Sequence, residues 1–350
     1  MVSIIIPLRR DQGYLRECVE SCLAQFDASG DQGEVIILPD EPFDLALTFA
    51  KATVGRQDKP LPRSGDRGYN WNDPRIIQES TGPASPARKR NRGAQLSKGE
   101  ILAFIDDDTR VRPGWLLAAL AHFDDPKIGA VGGPSITPSD DPFWAQVSGI
   151  VYESWMMSAG EFLRYRPGKE CDVHDFPSCN LLVRRSVFEA VGGFRTDFWP
   201  GEDTEFCLAV IKKGHRIRYE PRALIEHHRR PSLKQHFIQL SNYGLHRGYF
   251  AKRYPETSLR FQYFVPTLFV LAGTATTLFT FLGNPVACRL LLLLASLYFI
   301  LILISLMGKA LQLLLAAVCV ILVSHVVYGI SFLRGLIVQR LPEEKQPVSR

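Results

Sequence analysis

Residues 1–260 lack an excess of either charge: 35 Lys and Arg stand against 34 Asp and Glu, and most of the net +5 falls in the last 90 of the 350 residues. A nucleic-acid partner needs a broadly basic face, so no nucleic acid is expected to bind. The seven cysteines are an odd number without paired metal-ligand spacing, which excludes a disulfide framework and a zinc module. Cys18 and Cys22, one helical turn apart, fit the buried face of a helix better than a metal clip. The opening Met1-Val2-Ser3-Ile4-Ile5-Ile6-Pro7 lacks the basic and long apolar regions of a secretory signal. It reads as a first strand, and the N-terminal domain is expected in a reducing cytosol. At 46% hydrophobic and 22% charged, the chain is neither disordered nor collagen-like.

Charge is missing altogether from Phe261–Leu282, Leu290–Met307 and Ala310–Leu333, which are 18 to 24 residues long. About 20 apolar residues cross a bilayer core as a helix. Only Gly308-Lys309 separates the second stretch from the third, so these two form a tight hairpin; Pro266 falls in the first turns of the first stretch, where a helix tolerates it or bends. Three full spans would carry Arg334, Arg340, Lys345 and Arg350 to the side opposite the N-terminal domain, against the positive-inside rule. Either the rule is broken, or one stretch is re-entrant or interfacial.

Ahead of these stretches the pattern is α/β. Val2–Ile6 and Glu34–Leu38 are β-branched apolar runs flanking Tyr14–Phe26, whose apolar residues recur at helical spacing. Strand, helix and strand at this distance make a βαβ unit with a parallel sheet. Ala84–Ser97 and Gly114–Phe123 read as helices, Ile101–Ile105 and Ile128–Val131 as strands, and Glu41–Thr81 as a long surface excursion. Ligands of such sheets bind beyond the carboxyl ends of the strands. Asp40 follows the second strand there, and Asp106-Asp107-Asp108 follows the third. Three adjacent carboxylates repel unless a cation lies among them, and oxygen ligands suit Mg2+ or Mn2+ shared with phosphate; the other reading is a solvated acidic turn. Arg88-Lys89-Arg90-Asn91-Arg92 places four cations on a helix running towards the same strand, as a nucleoside diphosphate requires, or as a solvated basic face. Glu202 and Asp203 precede the helix Thr204–Lys213. The helix dipole keeps a carboxylate ionised there, suited to accepting a proton from a hydroxyl or to capping the helix.

In order and spacing, several motifs over about 250 residues resemble glycosyltransferase family 2, the membrane-associated inverting enzymes of the GT-A fold. They are Val-Ser-Ile-Ile-Ile-Pro at residues 2–7, Lys89-Arg90-Asn91-Arg92-Gly93-Ala94 and Gly99-Glu100-Ile101-Leu102-Ala103-Phe104-Ile105-Asp106-Asp107-Asp108. Pro113-Gly114-Trp115-Leu116, Asn180-Leu181-Leu182-Val183-Arg184-Arg185, Gly192-Gly193-Phe194, Gly201-Glu202-Asp203 and His227-His228-Arg229-Arg230 complete the set. The resemblance implies an α/β GT-A domain with a mostly parallel central sheet, followed by C-terminal transmembrane helices. It implies a donor-binding set of Pro7, Asp40, Lys89, Arg90, Asn91, Asp106, Asp107 and Arg247, with Asp40 on the base or ribose. Asp108 and His227 would hold Mg2+ or Mn2+, and Asp203, paired with Glu202, would be the general base. Two departures stand out. Pro39-Asp40-Glu41-Pro42 replaces the usual Asp-Asp-x-Ser, and Tyr243-Gly244-Leu245-His246-Arg247-Gly248-Tyr249 stands where processive synthases carry Gln-x-x-Arg-Trp.

On this reading residues 1–230 are the catalytic domain, 231–260 an amphipathic juxtamembrane segment, 261–333 the transmembrane region and 334–350 a polar tail. Arg222–Arg260 holds eight Lys and Arg, four His and only two acids, and Ser232–Tyr254 is expected as a helix with Leu233, Phe237, Leu240, Tyr243 and Phe250 on one face. Directly before a membrane stretch, this suits an interfacial helix on anionic headgroups or a cradle for a polyprenyl phosphate. The expected protein is a multi-pass enzyme of the cell membrane with a cytoplasmic catalytic domain. It would move a sugar from a nucleotide-sugar, a UDP-sugar by resemblance, to a lipid-linked, polyprenyl-type saccharide of a surface polysaccharide or glycoconjugate. A polyprenyl-phosphate monosaccharide synthase and a non-catalytic membrane scaffold are the alternatives.

Overall fold

The computed structural model describes residues 1–42, 73–158 and 161–341. In chain order its strands are β1 (Val2–Pro7), β2 (Gly33–Leu38), β3 (Ile76–Gln78), β4 (Ile101–Ile105), β5 (Thr109–Val111), β6 (Ile128–Gly132), β7 (Ser135–Ile136), β8 (Cys171–Val173), β9 (Asn180–Arg184), β10 (Arg216–Tyr219) and β11 (Ile225–His227). The helices are α1 (Leu15–Ser29), α2 (Pro86–Leu96), α3 (Trp115–Leu120), α4 (Phe143–Glu153), α5 (Trp155–Ser158), α6 (Arg185–Val191), α7 (Glu202–Lys212), α8 (Leu233–Arg253), α9 (Pro255–Ser258), α10 (Phe261–Phe281), α11 (Pro285–Ser305) and α12 (Leu311–Ile337). They form two compact units, Met1–Pro134 with Lys169–His227, and Ser135–Gly168 with His228–Arg350.

The first unit is built on an eight-stranded sheet of order β3-β2-β1-β4-β9-β6-β10-β8. β1 runs parallel to both β2 and β4, with Ile4 opposite Val35 and Ala103. β9 is antiparallel to β4 and β6, and β10 parallel to β6. β1, β2 and β4 are buried almost throughout, as strands covered on both faces must be, and their apolar runs lack alternation for that reason. α1 covers the sheet with Leu15, Cys18, Val19, Cys22, Leu23 and Phe26. Both cysteines are free and buried there, as packing residues. Each large aliphatic side chain so buried contributes roughly 1.5–3 kcal/mol. Trp115 is fully buried, and its indole N–H donates to Asn180 Oδ1 at 2.8 Å. The Asn180 amide in turn donates to the carbonyls of Gly133 and Ala223.

A surface excursion is expected over Glu41–Thr81. Residues 43–72 lie outside the described residues, but Ile76–Gln78 form an edge strand parallel to β2, with Val35 opposite Ile76. Three residues are too short to show a strand period, and the open edge of β2 decides their conformation.

In the second unit, α10, α11 and α12 are long and apolar enough to cross a membrane, with mean hydropathies of 1.6, 2.6 and 2.5. α11 starts at Pro285, ahead of the charge-free stretch, because Asn284 accepts hydrogen bonds from Val286 N and Ala287 N and Pro285 occupies the first turn. The helix therefore includes Arg289. α8 matches the expected helix closely, but its contact face differs. Leu240 and Phe250 are buried, whereas Tyr243 is exposed, and Gly244 and Gly248 make the tightest approach. A Cβ on Gly248 would lie 2.1 Å from the Phe332 carbonyl oxygen of α12. Backbone proximity, which apolar spacing does not register, thus selects the face.

Candidate active site

The carboxyl ends of β1, β2 and β4 lie side by side, and the residues that follow them meet. Pro7 ends β1 opposite Leu38. The Lys89 ammonium, buried on α2, donates to the carbonyls of Leu8 and Leu38 at 2.5 and 3.1 Å and to Asp40 Oδ1 at 2.5 Å. One cation thereby ties the ends of two strands to the carboxylate expected to read the nucleoside. One residue on, Arg90 is buried as well. It donates from Nη2 to Asp106 Oδ1 at 2.7 Å and from Nη1 to Glu202 Oε1 at 3.0 Å. Burial opposes its charge, and Asp106 and Glu202 outweigh that and hold its pKa up. Asn91 turns elsewhere: its amide donates to Phe194 O and accepts from Phe194 N, which spends its side chain on fastening that loop.

Asp106, Asp108 and His227 bring ligand atoms within 4.8 Å of one another. β11 places His227 opposite Thr109 of β5, so the imidazole reaches back over the acidic turn, with Nε2 3.0 Å from Asp108 Oδ1. Burial would lower the His227 pKa, but the charge and hydrogen bond of Asp108, with a contribution from Cys179, raise it to about 10. Burial and then the charges of Asp108 and Asp106 push Asp107 up to about 8. Two carboxylates and an imidazole form a donor set that fits Mn2+ and, through the oxygens, Mg2+. The turn itself is pinned through its backbone, because the Cys18 thiol and the Thr109 hydroxyl both donate to the Asp106 carbonyl.

Gly201, at φ +119°, opens α7 in the left-handed region and turns Glu202 and Asp203 into the first helical positions. Their environments differ. Glu202 is buried against Arg90, and its pKa rises to about 7, by burial first and the Asp203 charge second, with Arg90 opposing both. Asp203 is half-buried, and its Oδ1 accepts from Thr204 N at 2.8 Å. Arg247 lies in the other unit, where it donates to Ser258 Oγ and stacks over the Tyr263 ring at 4.8 Å. Cys179 beside His227, and Asp175, which accepts from Thr204 Oγ1 at 3.0 Å, had no sequence signal, since neither stands in a recognisable motif.

A second group, His122, Glu170 and Glu220, also clusters within 4.8 Å. Its charge is already balanced, with Arg222 on Glu220 at 2.9 Å and Arg218 on Glu170 at 3.7 Å.

Comparison with known proteins gives the family and the fold. The profile of "Glycosyl transferase family 2" matches residues 3–192, and that of "Glycosyl transferase family group 2" matches residues 101–330. The pre-mycofactocin glycosyltransferase of Mycobacterium tuberculosis is 32% identical over 174 residues, which are 49% of this chain and 36% of that protein. The chain therefore spans about a third of that relative's length. A Methanococcus voltae relative, dolichyl N-acetyl-alpha-D-glucosaminyl phosphate 3-beta-D-2,3-diacetamido-2,3-dideoxy-beta-D-glucuronosyltransferase, is 23% identical over 256 residues, 71% of this chain and 73% of its own. Among solved structures, the mannosyltransferase PcManGT from Pyrobaculum calidifontis, in complex with GDP-Man and Mn2+, superposes with a TM-score of 0.61. It is 18% identical, over 92% of this chain and 86% of that one, a likeness of fold. With the family profile running from β1 through the acidic turn to the end of α6, the chain belongs to glycosyl transferase family 2, with a GT-A-like α/β domain followed by three apolar helices.

Proposed function

We propose that this enzyme transfers a sugar from a nucleotide-sugar to a lipid-linked saccharide, with inversion at the anomeric carbon. The observation that carries the reading is the meeting of Asp106, Asp108 and His227 at the end of β4, beside the Arg90 bridge to Glu202. Asp108 and His227 would hold Mg2+ or Mn2+, with Asp106 towards the ribose. When bound there, the ion supplies Lewis-acid neutralisation of the departing diphosphate. Asp40, kept in place by Lys89, would contact the nucleoside, and Arg90 holds Asp106 at its post. Asp203 is the general base, since Glu202 is buried and committed to Arg90. As the acceptor hydroxyl attacks the anomeric carbon, its proton passes to Asp203 and the bond to the diphosphate oxygen breaks on the opposite face. Relatives named as transferases acting on dolichyl-phosphate sugars support the lipid-linked saccharide. The catalytic domain would lie on the cytoplasmic side of the membrane, where nucleotide-sugars are made.

A donor screen tests this. Membranes carrying the protein should release UDP or GDP from one nucleotide-sugar, and lipid extract containing polyprenyl-linked saccharides should raise the release. Turnover with bare polyprenyl phosphate alone would favour the monosaccharide synthase, and no turnover with any donor would favour the scaffold.

A further inference from the structure

Three relations within the C-terminal unit bear on which apolar helices cross the bilayer. The first is one of direction. α10 meets α12 in falling register: Phe264 packs on Phe332 at 4.8 Å, Thr267 Oγ1 donates to Gly329 O at 2.9 Å, and Phe269 faces His325 at 6.2 Å. α10 and α11 are joined by a short turn and touch at Phe269 and Tyr298, whose rings stack at 4.3 Å. α11 meets α12 in falling register too, with Tyr298 OH bonded to His325 at 2.5 Å and Ile302 and Leu306 buried in one cluster with Ala317 and Ile321. Each pair therefore runs in opposed directions. Three helices standing upright in a bilayer cannot all be antiparallel to one another. If α10 and α11 form an upright hairpin, α12 lies across its base.

The second relation is with α8, which runs alongside the C-terminal half of α12 in the same direction. His236 reaches Ser324 at 3.2 Å, Ser241 reaches Ser331 at 2.9 Å, and Lys252 donates to Val338 O at 2.6 Å. Ser324 is the midpoint of the 27-residue α12. Were α12 a span, the bilayer midplane would hold Ser324 and, beside it, the exposed Lys234 and Gln235 of α8. Hydrocarbon does not accommodate such a helix.

The third is the pattern of exposure. Leu315, Leu322, Val326, Ile330, Leu333 and Ile337 form a single exposed apolar stripe along α12, while the opposite side is buried. α11 instead is exposed at every residue from Leu292 to Leu297, so its exposed positions point all round the helix. An 18-residue window of α12 is 39% buried, against 6% for α10 and for α11. One stripe suits a helix lying in the interface, and all-round exposure suits a helix surrounded by lipid.

We propose that α12 lies along the membrane surface with its apolar stripe towards the acyl chains, and that α10 and α11 form the one transmembrane hairpin. The partner of this surface is the headgroup and upper acyl layer of a bilayer. The chain then returns to the side on which α8 lies, and Arg334 and Arg340 join Lys252 and Arg253 in one headgroup layer.

The test uses the full chain in proteoliposomes, with Cys288→Ser and Cys319→Ser to remove the cysteines of the apolar helices. A membrane-impermeant maleimide is applied to Lys213→Cys in the catalytic unit, to Leu282→Cys at the hairpin tip, and to a cysteine added after Arg350. The added cysteine should label to the same extent as Lys213→Cys, and Leu282→Cys should stay protected until detergent is added. Protection of the added cysteine until detergent would overturn the proposal. An environment-sensitive fluorophore at Leu315, Val326 and Ile337, quenched by lipids spin-labelled at graded depths, gives a second reading. Equal shallow depth at all three is expected, whereas Val326 deeper than both ends would mean a span. Neither readout depends on transferase activity.

Discussion

Arg90 joins Asp106, 16 residues along the chain, to Glu202, 112 residues along. Arg90→Met would leave the buried Glu202 without its partner, a loss of about 3–5 kcal/mol. Chemical unfolding in detergent should show that loss, and Arg90→Met with Glu202→Met together should recover much of it. Recovery is the informative part, since a simple packing defect would not be relieved by the second substitution. Asp203→Asn should bind donor as before while transfer falls by several orders of magnitude; undiminished transfer would sink the base assignment. Glu220 offers a pH signature away from this site. Burial opposes its ionisation, but the hydrogen bonds from Arg222 and His122 win and hold its pKa at about 2. A depressed carboxyl binds its proton less readily folded than unfolded, so its contribution is full above the ordinary glutamate value and fades as pH falls towards about 2. Glu220→Gln should therefore flatten the loss of stability across that acid range, and a slope equal to that of the parent protein would refute the assignment. At this scale the sequence singled out Asp106, Asp108 and Asp203 through their motifs. It did not disclose that Asn91 is spent on the Phe194 backbone, because a side-chain amide carries no mark of its partner.

Among the elements, those with a long period were legible. α1 and α8 repeat their apolar residues over several turns, and β1 and β4 are short apolar runs bounded by polar residues. β3 was not legible, being three residues paired to an edge supplied by β2. The tightest contact of α8 was also hidden, because Gly244 and Gly248 carry no hydrophobic signal and matter through the backbone they admit. Gly248→Leu places its first carbon against the Phe332 carbonyl and must push α8 from α12. A loss of about 1–3 kcal/mol is expected in unfolding experiments in detergent. Gly273→Leu, where nothing lies within 4 Å of an added Cβ, is the matched control and should cost little.

Removal of divalent ions with a chelator should abolish transfer, and Mn2+ or Mg2+ should restore it. Asp108→Asn should weaken that restoration more than Asp40→Asn does, since only Asp108 lies with Asp106 and His227. Equal dependence on metal in the two variants would argue against the assigned ligands. Glu161, which accepts from Tyr263 OH at 2.7 Å, shows a residue far upstream in the chain serving the apolar helices. So do Ser154, bonded to Ser305 at 2.9 Å, and Glu153, paired with Lys309 at 2.6 Å.

By itself the sequence determined the class of the protein. Apolar runs fixed by hydration, strand and helix periods, and charged residues at strand ends are local properties, and they point to an α/β sugar-transferring domain followed by three apolar helices. Only the tertiary structure decided which acids Arg90 joins, that His227 returns to Asp108, and that segment 135–168 belongs with the C-terminal helices. Those are contacts between residues distant in the chain, settled by strand register and by how closely backbones approach. The in-plane course inferred for α12 has the same origin. Hydropathy measures how much apolar surface a helix carries, whereas the direction of its neighbours and the side they cover decide where that surface faces.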